Sequence, residues 1–287
     1  MELKIYATGS DFGRSADLGS TVELLDSYER AFTQCLKRAC ISNRVRADKA
    51  YLKIASVVPG SLDVALVTEV AAAISPLAPQ IFGYAWDLYK SAFDLIAIAT
   101  ARFNEKGRPM NITISNSPGA TVNVVNGDQV NTTKDVLDVA AAIHPQLERI
   151  AKLIKSGKAD RIQMGVSNAT NQPLIDFNPE NKSRFEMPEA DAYEQEPIGI
   201  ECEIFRFNKK TLVGTLEIEI DQKTRPVPFS VAPLLRDQCI EAFKASRLNV
   251  LAHREMTLNA LGESKIKKLH IIQIQPPAPP STTPQNI

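Results

Sequence analysis

Hydrophobic and polar positions change period several times along this chain, and the changes divide it into elements. Leu3 and Ile5 alternate with Lys4 and Tyr6, the period-two signature of a strand over 2–7. Gly9, Gly13 and Gly19 punctuate a loop. Ser20 with Glu23 three residues later has the capping-box pattern and predicts a helix to about Ile41. Its expected apolar stripe is Val22, Leu25, Tyr28, Ala31, Phe32, Cys35 and Leu36. Residues 50–66 read as two strands about Pro59-Gly60, so the chain opens β-α-β-β.

Residues 70–86 contain no charge, and Pro76 and Pro79 interrupt the run, which predicts an apolar helical pair over 66–103. The second helix runs from about Gln80 to Phe103, and its charges Asp87, Lys90 and Asp94 form a thin stripe. A helix so apolar must be covered on most sides. Over 111–126, Ile112 and Ile114, then Val122 and Val124, alternate about Ser117-Pro118-Gly119, the pattern of a β-hairpin. Its polar positions are Asn, Thr and Ser, without the charges that usually block an open edge. A helix from about Thr133 to Lys155 follows. Val136, Ala140, Ile143, Leu147, Ile150 and Ile154 form an a/d seam that packs on its own domain or, as the alternative, in a coiled coil, and Pro145 is expected to kink or split it.

One or two strands are expected over 160–177, then an acidic linker at 186–197 with five acids and no base. Residues 198–275 read β-β-β-α-β-β in a length that fits a small OB-like barrel. The fold class is therefore α+β. An N-terminal β-α-β-β domain with an apolar helical hairpin (1–110) leads through a hairpin-plus-helix region (111–185) to a five-stranded OB-like β-barrel (198–275). The Pro-rich end, 276–287, has no core-forming pattern and is expected to be disordered.

Composition adds limits. Over 287 residues, 33 basic and 33 acidic side chains balance, which argues against a strongly basic nucleic-acid coat. The N-terminus lacks the basic-then-apolar pattern of an export signal, so the chain is read as cytoplasmic and Cys35, Cys40, Cys202 and Cys239 as reduced thiols. No P-loop, GxSxG or HExxH is present, and the three histidines stand apart from any cysteine or carboxylate cluster. No cofactor or metal is expected, and the reading leans away from an enzyme. The carboxylates Glu201, Glu203, Glu217 and Glu219 fall on polar strand positions and read as solvated.

Three functions are weighed. The first is a homo-oligomeric scaffold that also binds a protein partner. Its contacts would be the large aromatics Phe82, Trp86, Tyr89 and Phe93, with Ile112, Ile114, Val122 and Val124 of the hairpin. The second is a nucleic-acid binder gripping phosphate through the barrel and Lys37, Arg38, Arg44, Arg46 and Lys49. Glutamates outward on the second barrel strand, where aromatics would serve, disfavour it. The third is a membrane-active effector using helices 70–101, disfavoured because the uncharged run is shorter than the ~20 apolar residues a span needs.

The order of parts resembles that of a loose group of uncharacterised bacterial proteins. These begin with a small α/β domain containing a strand pair like YLKIASVVPGSLDVAL (51–66) and an apolar helical pair. An Asn-rich hairpin like NITISNSPGATVNVVNGD (111–128) and a C-terminal barrel follow. The resemblance implies a role in bacterial accessory or mobile-element loci, some linked to phage defence. It brings no active site.

Overall fold

The computed structural model describes residues 2–13, 16–45, 50–58, 62–70, 77–115, 119–125, 129–166, 175–220, 223–242 and 247–275. The expected turns at Pro59-Gly60 and Ser117-Pro118, the basic residues Arg46 and Lys49, and the Pro-rich end lie outside them. The chain divides into two units, Met1–Pro188 with Asn259–Gly262, and Glu189–Leu258 with Glu263–Ile287.

The first unit is built on five antiparallel strands in the order β2-β3-β1-β7-β8. They are β1 (Glu2–Thr8), β2 (Ala50–Val58), β3 (Leu62–Val70), β7 (Arg161–Val166) and β8 (Ile175–Phe177). Register places Ile5 between Val64 and Met164, and Ala7 between Leu62 and Ile162. All these side chains are buried, while the alternate positions Lys4 and Arg161 face out. One face of the sheet is therefore apolar. Tyr89 and Phe93 of α2 (Ala78–Lys106) cover it: Tyr89 Oη approaches Met164 Sδ at 3.4 Å, and the Phe93 ring lies 5.2 Å from that of Phe177. Gly9 marks where the chain leaves β1. A Cβ there would fall 2.6 Å from Ala159 Cα at a φ of 135°, so only glycine fits. That accounts for this glycine as a close backbone crossing.

Three helices pack on one another: α1 (Leu18–Ser42), α2 and α3 (Lys134–Lys155). The cap of α1 is Asp17, whose carboxylate accepts from Ser20 N at 2.8 Å. The expected Ser20 box is displaced by one turn, because Ser20 Oγ donates to Asp11 instead (2.6 Å). Of the expected stripe, Val22 is exposed and Leu24 takes its place inside. The helix α3 begins at its Thr133 cap and runs through Pro145 without a break. Its whole seam, from Val136 to Ile154, is buried. The first helix expected over 66–76 is not found where it can be followed. Residues 66–70 belong to β3, and 71–76 are outside the described set.

The expected hairpin at 111–126 is corrected. β4 (Asn111–Ser115) and β5 (Val122–Val125) do not pair with each other. β6 (Gln129–Thr133) inserts between them, parallel to β4 and antiparallel to β5. The sequence pattern contains two alternating strands, but the central one, QVNTT, carries Val130 as its only aliphatic residue.

The second unit is a closed five-stranded barrel. β10 (Ile198–Asn208), β11 (Val213–Ile220), β12 (Lys223–Val231), β14 (Ser264–Gln275) and β13 (Leu248–Asn259) follow one another around it, and β13 closes on β10. The short α4 (Arg236–Ala242) joins the third strand to the fourth, and the third and fifth strands run parallel. This is the OB-like order β-β-β-α-β-β. Inward positions, among them Leu216, Val227, Phe229, Val250, Leu269 and Ile271, fill the core. The acidic stretch expected as a linker contains β9 (Glu189–Tyr193), which extends the sheet beside β13.

Candidate functional site

Alternation along β10 and β11 turns Cys202, Ile204, Leu216 and Ile218 inward and sets Glu201, Glu203, Glu217 and Glu219 on the outer wall. Glu203 lies directly opposite Glu217. Like charges in that register repel. On the same wall, Arg247 Nη1 donates to Glu201 Oε1 at 3.1 Å. A cleft of about 170 Å3 runs among these side chains. This wall attracts cations and repels polyanions.

Further along the same strand the chemistry inverts. After Asn208 the chain turns through 209–212. Asn208 Oδ1 accepts from Lys210 N (2.9 Å) and Thr211 N (3.3 Å), and its carbonyl accepts from Leu212 N (2.8 Å). Leu212 adopts a φ of 58°, which completes the turn. The return strand carries Gly214, opposite both Phe207 and Phe229. A Cβ at 214 would fall 2.1 Å from Arg206 O and 2.5 Å from the Phe229 ring, so the two phenyl rings close over it, 5.9 Å apart and 11° from parallel. The turn and rings frame a cavity of about 540 Å3 lined by Arg206, Phe207, Asn208, Lys209, Lys210 and Ile240 of α4. Among the described residues, none of the three cations has a carboxylate partner.

A third group sits on the outer face of β12, β14 and β13. Ser230 Oγ and His270 Nδ1 lie 2.9 Å apart, and His270 Nε2 meets Glu255 Oε2 at 3.1 Å. Lys267 also reaches Glu255 (3.3 Å) and Asp191 of β9 (2.9 Å). Tyr193 stacks on His253 at 5.6 Å and lies 5.8 Å from His270. The His270 and Lys267 hydrogen bonds hold the Glu255 carboxyl below its usual value. With Glu255 accepting from Nε2–H, the ring presents a bare Nδ1 to the serine hydroxyl, the tautomer a general base requires. Acyl transfer also needs free donors for the oxyanion. Ser230 lies in a strand paired on both sides at this level, opposite Val213 and His270, so its ladder groups are committed. The group therefore reads as a polar tie across three strands. The His270 side chain is 33% exposed. Strand alternation puts Ser230, Glu255 and His270 outward, but nothing local shows that they meet.

The residues singled out from sequence separate sharply. Phe82, Trp86 and Tyr89 are buried within a single chain. Phe32 packs against Phe82 (5.5 Å) and Tyr89 (6.0 Å), and Tyr28 meets Tyr89 edge-on at 5.7 Å. Phe93 joins Phe177 and Phe185 in a second cluster, with centroids 4.6–5.2 Å apart. These rings anchor the helix layer, not a surface. Ile112 and Val122 are half-buried, while Ile114 and Val124 are 48% and 50% exposed on the three-stranded ribbon.

Of the basic cluster, Lys37 and Arg44 are exposed. Arg38 is committed: it donates to Asp135 Oδ1 (Nε, 2.8 Å) and reaches Asp138 (3.0 Å). Ser42 and Tyr84 donate to the other oxygen of Asp135, at 2.7 and 3.0 Å, so one carboxylate ties three helices together. Burial would raise the Asp135 pKa, but the bonds from Ser42, Arg38 and Tyr84 outweigh it and the net shift is downward. Burial, with the bond to Asp135, pushes the Tyr84 phenol up to about 12.

All four cysteines are buried and free. Burial pushes the Cys202 thiol up to about 12 and that of Cys239 to about 11, which makes both poor nucleophiles. Among the described residues, no helix is long and apolar enough to cross a membrane, and no group of three His, Cys, Asp or Glu side chains converges as metal ligands would. Comparison with known protein families, with characterised proteins and with solved structures finds no match to this chain.

Proposed function

We propose that the chain is a non-catalytic, homo-oligomeric binding protein. The ribbon of β4, β6 and β5 would join subunits, and the barrel would carry the partner site. The observation that supports this is the ribbon's construction. Its order puts β4 and β5 on the outside, and among the described residues neither outer edge has a partner strand. Neither strand carries a charge, and Ile114 and Val124 stand half exposed. Natural edges of this kind are normally blocked by charge, proline or a bulge. An unblocked edge with apolar side chains suits pairing with a second copy, through main-chain hydrogen bonds and alternate side chains.

The resemblance to bacterial accessory-locus proteins suggests a cytoplasmic setting and a role in such a system, with antiviral defence as the context. Light scattering on a size-exclusion column tests the assembly. The expected result is one discrete multimer of the 31.5 kDa chain, reduced to monomer in Ile114→Lys/Val124→Lys with an unchanged circular dichroism spectrum. A monomeric wild-type chain at micromolar concentration would overturn the proposal.

A further inference from the structure

The cavity at the β10–β11 turn has no role in that assembly, and its chemistry is specific. Arg206, Lys209 and Lys210 bring three cations to one rim, and among the described residues none is neutralised by a carboxylate. Phe207 and Ile240 line the same space. Lys209 and Lys210 are held at the tip of a turn fixed by Asn208, so their backbone positions need no ordering on binding. Phe207 is backed by the buried ring of Phe229, nearly parallel to it, and is therefore a rigid surface for a further ring. The volume, about 540 Å3, lies within the range of roughly 300–1,000 Å3 typical of small-ligand pockets.

We infer that this pocket binds a free nucleoside di- or triphosphate, with the phosphates on Arg206, Lys209 and Lys210 and the base against Phe207 and Ile240. A guanidinium and two ammonium groups match a multiply charged phosphate chain, and charge-assisted hydrogen bonds to it are the strong class. An aromatic and an aliphatic wall match a planar ring. A nucleic-acid strand is the poorer occupant. Continued back along β10, it would meet Glu201 and Glu203 and their neighbours Glu217 and Glu219, a wall that repels a polyanion. A compact ligand stops short of them.

The test is calorimetric titration of the full chain with ATP at low salt, beside adenosine, pyrophosphate and a 20-mer of thymidylate as separate titrants. One ATP per chain is expected, bound more tightly than the other three and weakened by about 0.5 M salt because the cations are solvent-accessible. Lys209→Ala/Lys210→Ala should weaken ATP about tenfold or more, the loss expected for two charge-assisted contacts. Both side chains are exposed, so the fold is unaffected. Ile240→Ala should weaken ATP several-fold and leave pyrophosphate unchanged, which separates the ring contact from the charge contact. Absence of ATP binding at low salt, equal affinity in the lysine variant, or tighter binding of the oligonucleotide than of ATP would each overturn the inference. None of these readouts depends on the oligomeric state.

Discussion

Arg38 and Arg206 are the same residue type near the end of a regular element, and their fates differ. In the helical layer, Arg38 is taken up by Asp135 and Asp138 and serves as a structural bolt. On the barrel, Arg206 stands with Lys209 and Lys210 beside an aromatic wall and no carboxylate partner among the described residues. The aromatics divide in the same way: Phe82, Trp86 and Tyr89 are sealed inside the first unit, whereas Phe207 lines an open cavity and Phe205 is 66% exposed. Clustered charge or clustered aromatics in a sequence thus do not mark a site. What marks it is whether neighbours elsewhere in the chain have already used those groups.

The contrast can be broken at five points, in falling order of expected effect. Trp86→Asp places an unpaired charge in the aromatic core and is expected to abolish folding, with loss of the helical circular dichroism signal. Soluble monomers carrying that substitution would return Trp86 to a surface role. Phe82→Ala should keep the fold but cost about 3–5 kcal/mol in denaturant unfolding, the range for truncating a buried phenyl ring. In the barrel, Gly214→Ala should cost about 1–3 kcal/mol or more, since its methyl has no room beside Arg206 O and Phe229.

Asp135→Asn should cost about 1.5–3 kcal/mol, because the partly buried charged hydrogen bonds to Arg38 are weakened. The same carboxylate predicts a pH dependence. Its folded pKa is depressed, so its stabilising contribution is complete above the unfolded value near 3.8 and is lost as pH falls through the lower folded value. Unfolding curves from pH 6 down to pH 3 should show this loss in the wild type and a shallower one in Asp135→Asn. Parallel curves would remove Asp135 from the account. The smallest effect, within about 1 kcal/mol, is expected for Ser230→Ala, which deletes one half-buried hydrogen bond to His270.

Much of the architecture was legible because it rests on local periodicity. The seam of α3 and the polar strand positions of Glu201, Glu203 and Glu219 require only that one face be buried, and each takes the side its pattern predicts. The errors are non-local. QVNTT carries little apolar signal of its own, and it is a central strand because β4 and β5 flank it. Ser20 lost its capping role to Asp17 because Asp11, nine residues away, offered its hydroxyl another partner. The stretch 186–197 read as a linker from charge alone, yet part of it is a strand whose Asp191 binds Lys267 and which is followed by Glu194, paired with Arg254.

The candidate site was barely legible. Lys209 and Lys210 are two charges in a turn, Phe207 is an ordinary strand residue, and Ile240 comes some thirty positions later. The sequence by itself determined the α+β class, the five barrel strands with their intervening helix, and which face of each element turns inward, because burial of apolar surface acts on every element through its own repeat. Only the tertiary structure decided which cations are paired, which rings are sealed, and which strand lies between two others. Hydrogen bonds, ion pairs and ring contacts depend on distances of a few ångströms between residues far apart in the chain, and no local repeat encodes them.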